Sequence, residues 1–251
     1  MNFAAVEFPP IKNVVEWPAF GAGFNKIALI CAIAFAVPAV LFFIAGRRGS
    51  LVPRGVQGFA EGIVEFVENQ IAKPGIGHGY ERYVPLLTTF FVFIAIGNLF
   101  EVIPFFQMPM NARMGPPLVL ALTAWATFIG VGLKHHGLGY LKEVAFPPGV
   151  PKALYILVTP IEILSTFIVR PFSHAVRLFA NMLAGHILLV TFSVLCISLW
   201  TLQSLVVVIQ PVTFIGLVLF TAFEVGVSFI QAFVFSILAA VYIGGALHPA
   251  H

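Results

Sequence analysis

PIEILSTFIVRPFSHAVRLFANMLAG, residues Pro160 to Gly185, is an apolar run of helical length that nevertheless carries Arg170, His174, Arg177 and Asn181. An arginine in hydrocarbon costs from about 3 to more than 10 kcal/mol by different measures, so a segment that keeps two of them has a polar neighbour, a water-filled cavity or a function. On a helix these four residues follow one another at spacings of four, three and four, which predicts a polar stripe along one face. What that stripe faces decides the reading of the chain.

The surrounding composition sets the solvent. The 251 residues are 60% hydrophobic and 9% charged, mean hydropathy is +1.01, and apolar runs of 18 or more residues recur, which predicts a polytopic helical membrane protein. All ten acidic residues are Glu, and the net charge of +3 is spread over loops, so the basic excess bears on topology and gives no sign of nucleic acid. Cys31 and Cys196 lie in apolar segments without metal-ligand spacing and read as small core hydrophobes. The adjacent His135 and His136 point about 100° apart on a helix, so they read as surface residues, and neither a metal site nor a cofactor is expected.

Residues 1–25, with Pro9, Pro10 and Pro18, lack a basic start and a small-residue cleavage site and are expected to form an external N-terminal tail, leaving 26–251 as a single membrane domain. The first span covers 26–45. Arg47, Arg48 and Arg54 follow it, which puts that end in the cytoplasm and the N-terminus outside. Over 56–72, Phe59, Ile63, Phe66, Val67 and Ile71 recur at helical spacing while Glu61, Glu65 and Glu68 take another face, the pattern of an amphipathic helix on the membrane surface. A Gly-rich loop with Pro74 leads to the second span, 84–103, with Asn98 and Glu101 near its outer end. The third span, 118–134, follows a Pro-rich loop and ends at Lys134 on the inside; Lys142 and Lys152 keep the next loop cytoplasmic.

The segments 153–200 and 212–247 are longer than a perpendicular span needs, since about 45 helical residues extend nearly 70 Å against roughly 30 Å of hydrocarbon. Each could break into two spans, or the two could form a steeply tilted hairpin turned near Gln210 and Pro211. The lack of a polar interruption favours the hairpin without deciding it. Within the first arm, His186 is nine residues beyond Arg177, about 13 Å along the axis and half a turn round, and Glu162 is about 22 Å away in the other direction. In the second arm Glu224, Ser228 and Gln231 form another polar stripe. Glu and His exchange protons readily whereas arginine keeps its charge, a combination that suggests a proton path interrupted by a fixed cation.

The run from Arg177 to His186, RLFANMLAGH, resembles the signature of subunit a of the F-type ATP synthase, the stator proton channel of its membrane sector. The resemblance extends to Arg170-Pro171, to Ile230 through Phe235 with Tyr242, to Asn98, Glu101 and Pro104, and to Lys134 through Glu143. It implies an all-α polytopic membrane protein with three transmembrane helices, one membrane-surface amphipathic helix and the tilted hairpin packed against a ring of c subunits. It implies a non-catalytic role: two offset half-channels deliver protons to and from ring carboxylates, and a fixed cation between them stops direct leak and couples flow to rotation and ATP synthesis.

On this resemblance Arg177 is the barrier, with Asn181 helping to orient it. His186, Glu224, Gln231, Asn98 and Glu101 are expected in the outer half-channel, and Glu162, Ser165 and Ser173 in the inner one. Arg170 is expected at lipid headgroups or the loop edge. The implied partners are the c-ring, b-type peripheral stalk subunits, membrane lipids and the transported proton; the implied location is a bacterial plasma membrane, with the C-terminus cytoplasmic. A proton-coupled secondary transporter is the alternative, for which an inverted repeat would be expected, and none is visible in the sequence. Buried Asn98 and Gln231 have a plainer reading as interhelical hydrogen-bond glue.

Overall fold

The computed structural model describes residues 26–47, 54–103, 106–146, 151, 154–201 and 210–248. The expected N-terminal tail lies outside the described residues, as do Arg48, Lys152 and residues 202–209; Gln210 and Pro211, near which the hairpin turn is expected, are the first residues of the last helix. Among the described residues there are helices and turns and no strand. Five helical stretches are long and apolar enough to cross a membrane: Lys26–Arg47, Tyr80–Leu99, Gly115–His136, Tyr155–Ser198 and Gln210–Leu247.

Helix α1, Lys26–Arg47, buries only Ile27, Ile30 and Ala34 and leaves Phe35, Val40 and Phe43 exposed, as a helix solvated by lipid does. Helix α2, Val56–Val67, is amphipathic: Ala60 and Val67 are buried, while Glu61 and Glu65 are exposed. It does not stop at a loop as the glycines suggest. A π-turn, Glu68–Ala72, carries it into a further helical turn, α3, Lys73–Ile76. There Lys73 Nζ lies 3.1 Å from Glu68 Oε1 and donates to Asn69 Oδ1 at 2.6 Å, and this partner holds the Glu68 carboxyl below its ordinary pKa.

Helix α4, Val84–Leu99, is apolar on all sides and largely buried, so it forms the centre of the bundle. Helix α5, Gly115–His136, turns through Gly137, whose positive φ of 59° favours glycine, into the short α6, Gly139–Ala145. Helix α7, Tyr155–Leu164, runs through a second π-turn, Ser165–Val169, into α8, Arg170–Thr201, and α9, Gln210–Leu247, is the last.

Helix α9 packs against α4, α5, α8 and α3. The α3 contact is backbone to backbone: a Cβ added at Gly75 would come within 2.6 Å of Ala240 Cβ, and one at Gly244 within 2.5 Å of the Gly75 carbonyl oxygen. In a membrane such close approach replaces the hydrophobic drive available in water. At the same end, the His136 ring meets the Leu247 carbonyl at 3.3 Å and the His248 ring meets the His78 carbonyl at 3.2 Å. These contacts tie the C-terminus of α9 to the C-terminus of α5 and the approach to α4, fixing the axial register of the polar residues described next.

Candidate functional site

The polar residues of α8 divide among three directions. His174 is buried, its Nε2 3.2 Å from the Phe235 carbonyl and its ring edge-on to Phe235 at 4.1 Å between centroids. Arg170 is half-buried, with its guanidinium 5.4 Å from the centre of the Tyr242 ring. Arg177 and Asn181 are exposed, alongside Ala180, Ala184 and Leu188. The single stripe expected from spacing is therefore split, because a helix face is about 100° wide and α9 covers one flank of it. Arg170 also departs from expectation: it packs over an aromatic ring of the last helix, and Ser173 donates from Oγ to its carbonyl at 3.3 Å.

Beyond Arg177 the buried face of α8 meets α9 and the segment between α4 and α5 in a polar layer. His186 Nδ1 lies 3.5 Å from Glu101 Oε1, and both side chains are almost fully buried. The carboxylate of Glu224 lies directly against Gly185, in the space that a Cβ there would fill. Asn111, in the loop before α5, is fully buried and donates from Nδ2 to Asn98 Oδ1 at 2.7 Å. Ser228 and Gln231 are buried one and two turns along α9 from Glu224. A cleft of about 420 Å³ between α8 and α9 is lined by Asn181, Gly185, Leu188, Phe220, Glu224 and Gln231, and so joins the exposed face of α8 to this layer.

Among the described residues, neither oxygen of Glu101, nor Glu224 Oε2, Ser228 Oγ, Asn98 Nδ2 or Asn111 Oδ1, has a hydrogen-bond partner. Burying polar groups without partners costs several kcal/mol, and buried polar groups that lack a protein partner commonly bond to internal water.

On the other side of Arg177 lies a second layer: Arg170, Ser173, His174 and Tyr242, with Glu162 and Ser165 half-buried farther down the helix. Burial raises the pKa of Tyr140, at the start of α6, above its ordinary value, and the nearby Arg170 cation opposes that shift. Along α8 the two layers are about 24 Å apart from Arg170 to His186, with Arg177 between them.

Sequence reading missed Asn111 and the inward role of His174. Asn111 sits in a loop whose prolines announce only a turn, and no spacing rule ties it to Asn98. His174 lies within the stripe, and only the position of α9 shows which way it points.

Residues 27–244 match the family model described as ATP synthase A chain. The chain belongs to the ATP synthase A chain family. It is 40% identical over 253 residues to the ATP synthase subunit a of Frankia alni, covering 96% of this chain and 87% of that one. It is 43% identical to that of Rhodococcus erythropolis over 244 residues, with coverage of 96% and 88%. Similarity to the ATP synthase subunit a of Mesorhizobium japonicum is 37% over 246 residues, with coverage of 98% and 96%. As a member of the ATP synthase A chain family, the chain combines five helices long and apolar enough to cross a membrane with buried ionisable residues, His174, His186 and Glu224, within them.

Proposed function

We propose that this chain is the non-catalytic, proton-conducting stator subunit of a rotary ATP synthase, and that Arg177 separates two half-channels that open toward opposite membrane faces. The observation that carries the reading is the exposure of Arg177 and Asn181 on an apolar helix, between one buried and one largely half-buried polar layer. A guanidinium exposed at membrane depth requires a polar or anionic neighbour. A rotor carboxylate supplies one, and the exposed Ala180 and Ala184 beside it let a partner helix approach closely.

On this reading the outer half-channel is the hydrated layer of Asn98, Glu101, His186, Glu224 and Gln231, joined through the cleft at Gln231 and Asn181 to the rotor face. The inner one runs past Ser173, Ser165 and Glu162. A proton arriving by the outer path neutralises a ring carboxylate, which can then enter lipid; after nearly a full turn it releases the proton to the inner path. Arg177 favours the ionised rotor carboxylate locally and repels a proton that would cross directly, so passage requires rotation. Each proton then delivers about 2.3 kcal/mol per 100 mV to the rotor.

The finer arrangement belongs to the same proposal. The helices α1, α4 and α5 span the membrane, α2 lies on its surface, and α7 through α9 form a tilted hairpin against the c-ring, with b-type stalk subunits completing the stator. The host is a bacterial plasma membrane with the N-terminus outside and the C-terminus in the cytoplasm. The test is ATP-driven acidification of vesicles holding the assembled complex. Arg177→Ala is expected to abolish it with assembly intact, and pumping at the level of the unmodified complex would refute the reading.

A further inference from the structure

The π-turn Ser165–Val169 immediately precedes Arg170-Pro171, and the π-turn Glu68–Ala72 immediately precedes Lys73-Pro74. Proline has no N–H, and its ring clashes with the carbonyl four residues back, Phe167 for Pro171. Widening the turn relieves that clash. The Arg170 N–H then bonds to the Ser165 carbonyl, five residues back. The next bond in this pattern would run from residue 171 to the Thr166 carbonyl, but Pro171 has no hydrogen to give. Trp125, on α5, fills the gap: its indole N–H donates to the Thr166 carbonyl at 3.1 Å, and its ring packs edge-on against Phe167 at 6.0 Å.

The extra residue sets the relation between the two halves of the long helix. Thr166 and Leu178 are each 1% exposed. Twelve residues of unbroken α-helix would place them about 120° apart around the axis; absorbing one residue in the π-turn leaves about 20°. The same correction brings Glu162 from about 60° on one side of Arg177 to about 40° on the other. If the turn relaxed to α geometry, α7 would rotate by about 100° relative to α8, carrying Glu162 and Ser165 with it.

We infer that Trp125 is a positioning residue for the proton path: by holding the Thr166 carbonyl it keeps the π-turn, and the π-turn sets the angle at which the Glu162 and Ser165 segment meets the Arg177 face. This rests on the proton-path reading above, and its structural part can be tested separately.

Trp125→Phe keeps the ring and removes the donor. Deleting Ile168, which is 58% exposed, in a chain that also carries Pro171→Ala removes both the surplus residue and the ring that would clash in a regular turn, so that an ordinary α-helix presents the same faces without the pin. In the assembled complex, with Cys31 and Cys196 replaced by alanine, spin labels at Ile156 and Leu122 report the rotation of α7 against α5. Trp125→Phe is expected to shift or broaden that distance and to lower ATP-driven proton pumping per assembled complex roughly tenfold, the scale of one lost hydrogen bond to a buried carbonyl. Adding the deletion with Pro171→Ala is expected to restore both, which a simple packing role for Trp125 would not allow. An unchanged distance in Trp125→Phe overturns the inference, and so does a moved distance with pumping intact, or a failure of that pair of changes to restore pumping. Should Trp125→Phe not assemble, the deletion with Pro171→Ala alone is expected to keep the distance and pumping of the unmodified complex, and loss of either overturns the inference. Arg177→Ala in the same vesicles tests the underlying reading independently of these distances.

Discussion

His186 Nδ1 stands 3.5 Å from Glu101 Oε1 in a layer where both side chains are buried, although the two residues lie 85 positions apart in the chain. Each of these two side chains is an oppositely polar neighbour of the other in that layer, and removing one leaves the other buried without that partner. Glu101→Gln and His186→Ala are each expected to lower pumping by about tenfold or more, and the double variant is expected to be no worse than the worse single one. Measuring initial acidification rates for the three variants gives the coupling directly; simple additivity would mean that the residues work independently.

Gly185 offers a sharper geometric test, because the space its missing side chain leaves is occupied by the Glu224 carboxylate. Gly185→Ala is expected to displace that carboxylate and reduce pumping severely. Gly226→Ala, on α9 itself, meets nothing within 4 Å and is expected to be tolerated. Equal effects of the two substitutions would remove the packing of Glu224 on Gly185 from the account.

Asn111→Ala removes the donor to Asn98 Oδ1 and leaves a fully buried amide pair half-satisfied. The expected cost is about 1–3 kcal/mol of stability, together with slower proton uptake from the outer side. Thermal unfolding in detergent and the pH dependence of synthesis in inverted and right-side-out vesicles separate the two effects.

The contact of α3 with α9 predicts a stability effect with no direct bearing on chemistry. Gly75→Ala places a Cβ within 2.6 Å of Ala240 Cβ and 3.3 Å of its backbone, an overpacking worth about 1–3 kcal/mol. Gly62→Ala, in open space on α2, is expected to be neutral or slightly stabilising. Melting temperatures of the two variants provide the comparison.

Much of this was legible in the sequence because membranes enforce simple rules. Backbone groups in lipid must bond internally, so long apolar runs become helices, and charge inside them stands out, as Arg177, His186 and Glu224 do. The directions in which side chains point were less legible. Spacing put His174 in one stripe with Arg177, but a stripe has width, and the position of α9 turns His174 inward while Arg177 stays exposed. The π-turns were invisible to a 3.6-residue period, since one surplus residue is absorbed locally; in hindsight the signal was an X-Pro step inside a helical run. Asn111 reaches the polar layer from a loop, where periodicity carries no information.

On the proposed reading Arg177 blocks a direct route for protons. Its most direct test is the passive proton conductance of the membrane sector in vesicles with the rotor crosslinked to the stator. The locked complex with Arg177 is expected to be proton-tight, and the locked Arg177→Ala complex is expected to leak under an imposed potential. A locked Arg177→Ala complex that remains as tight as its parent would contradict it.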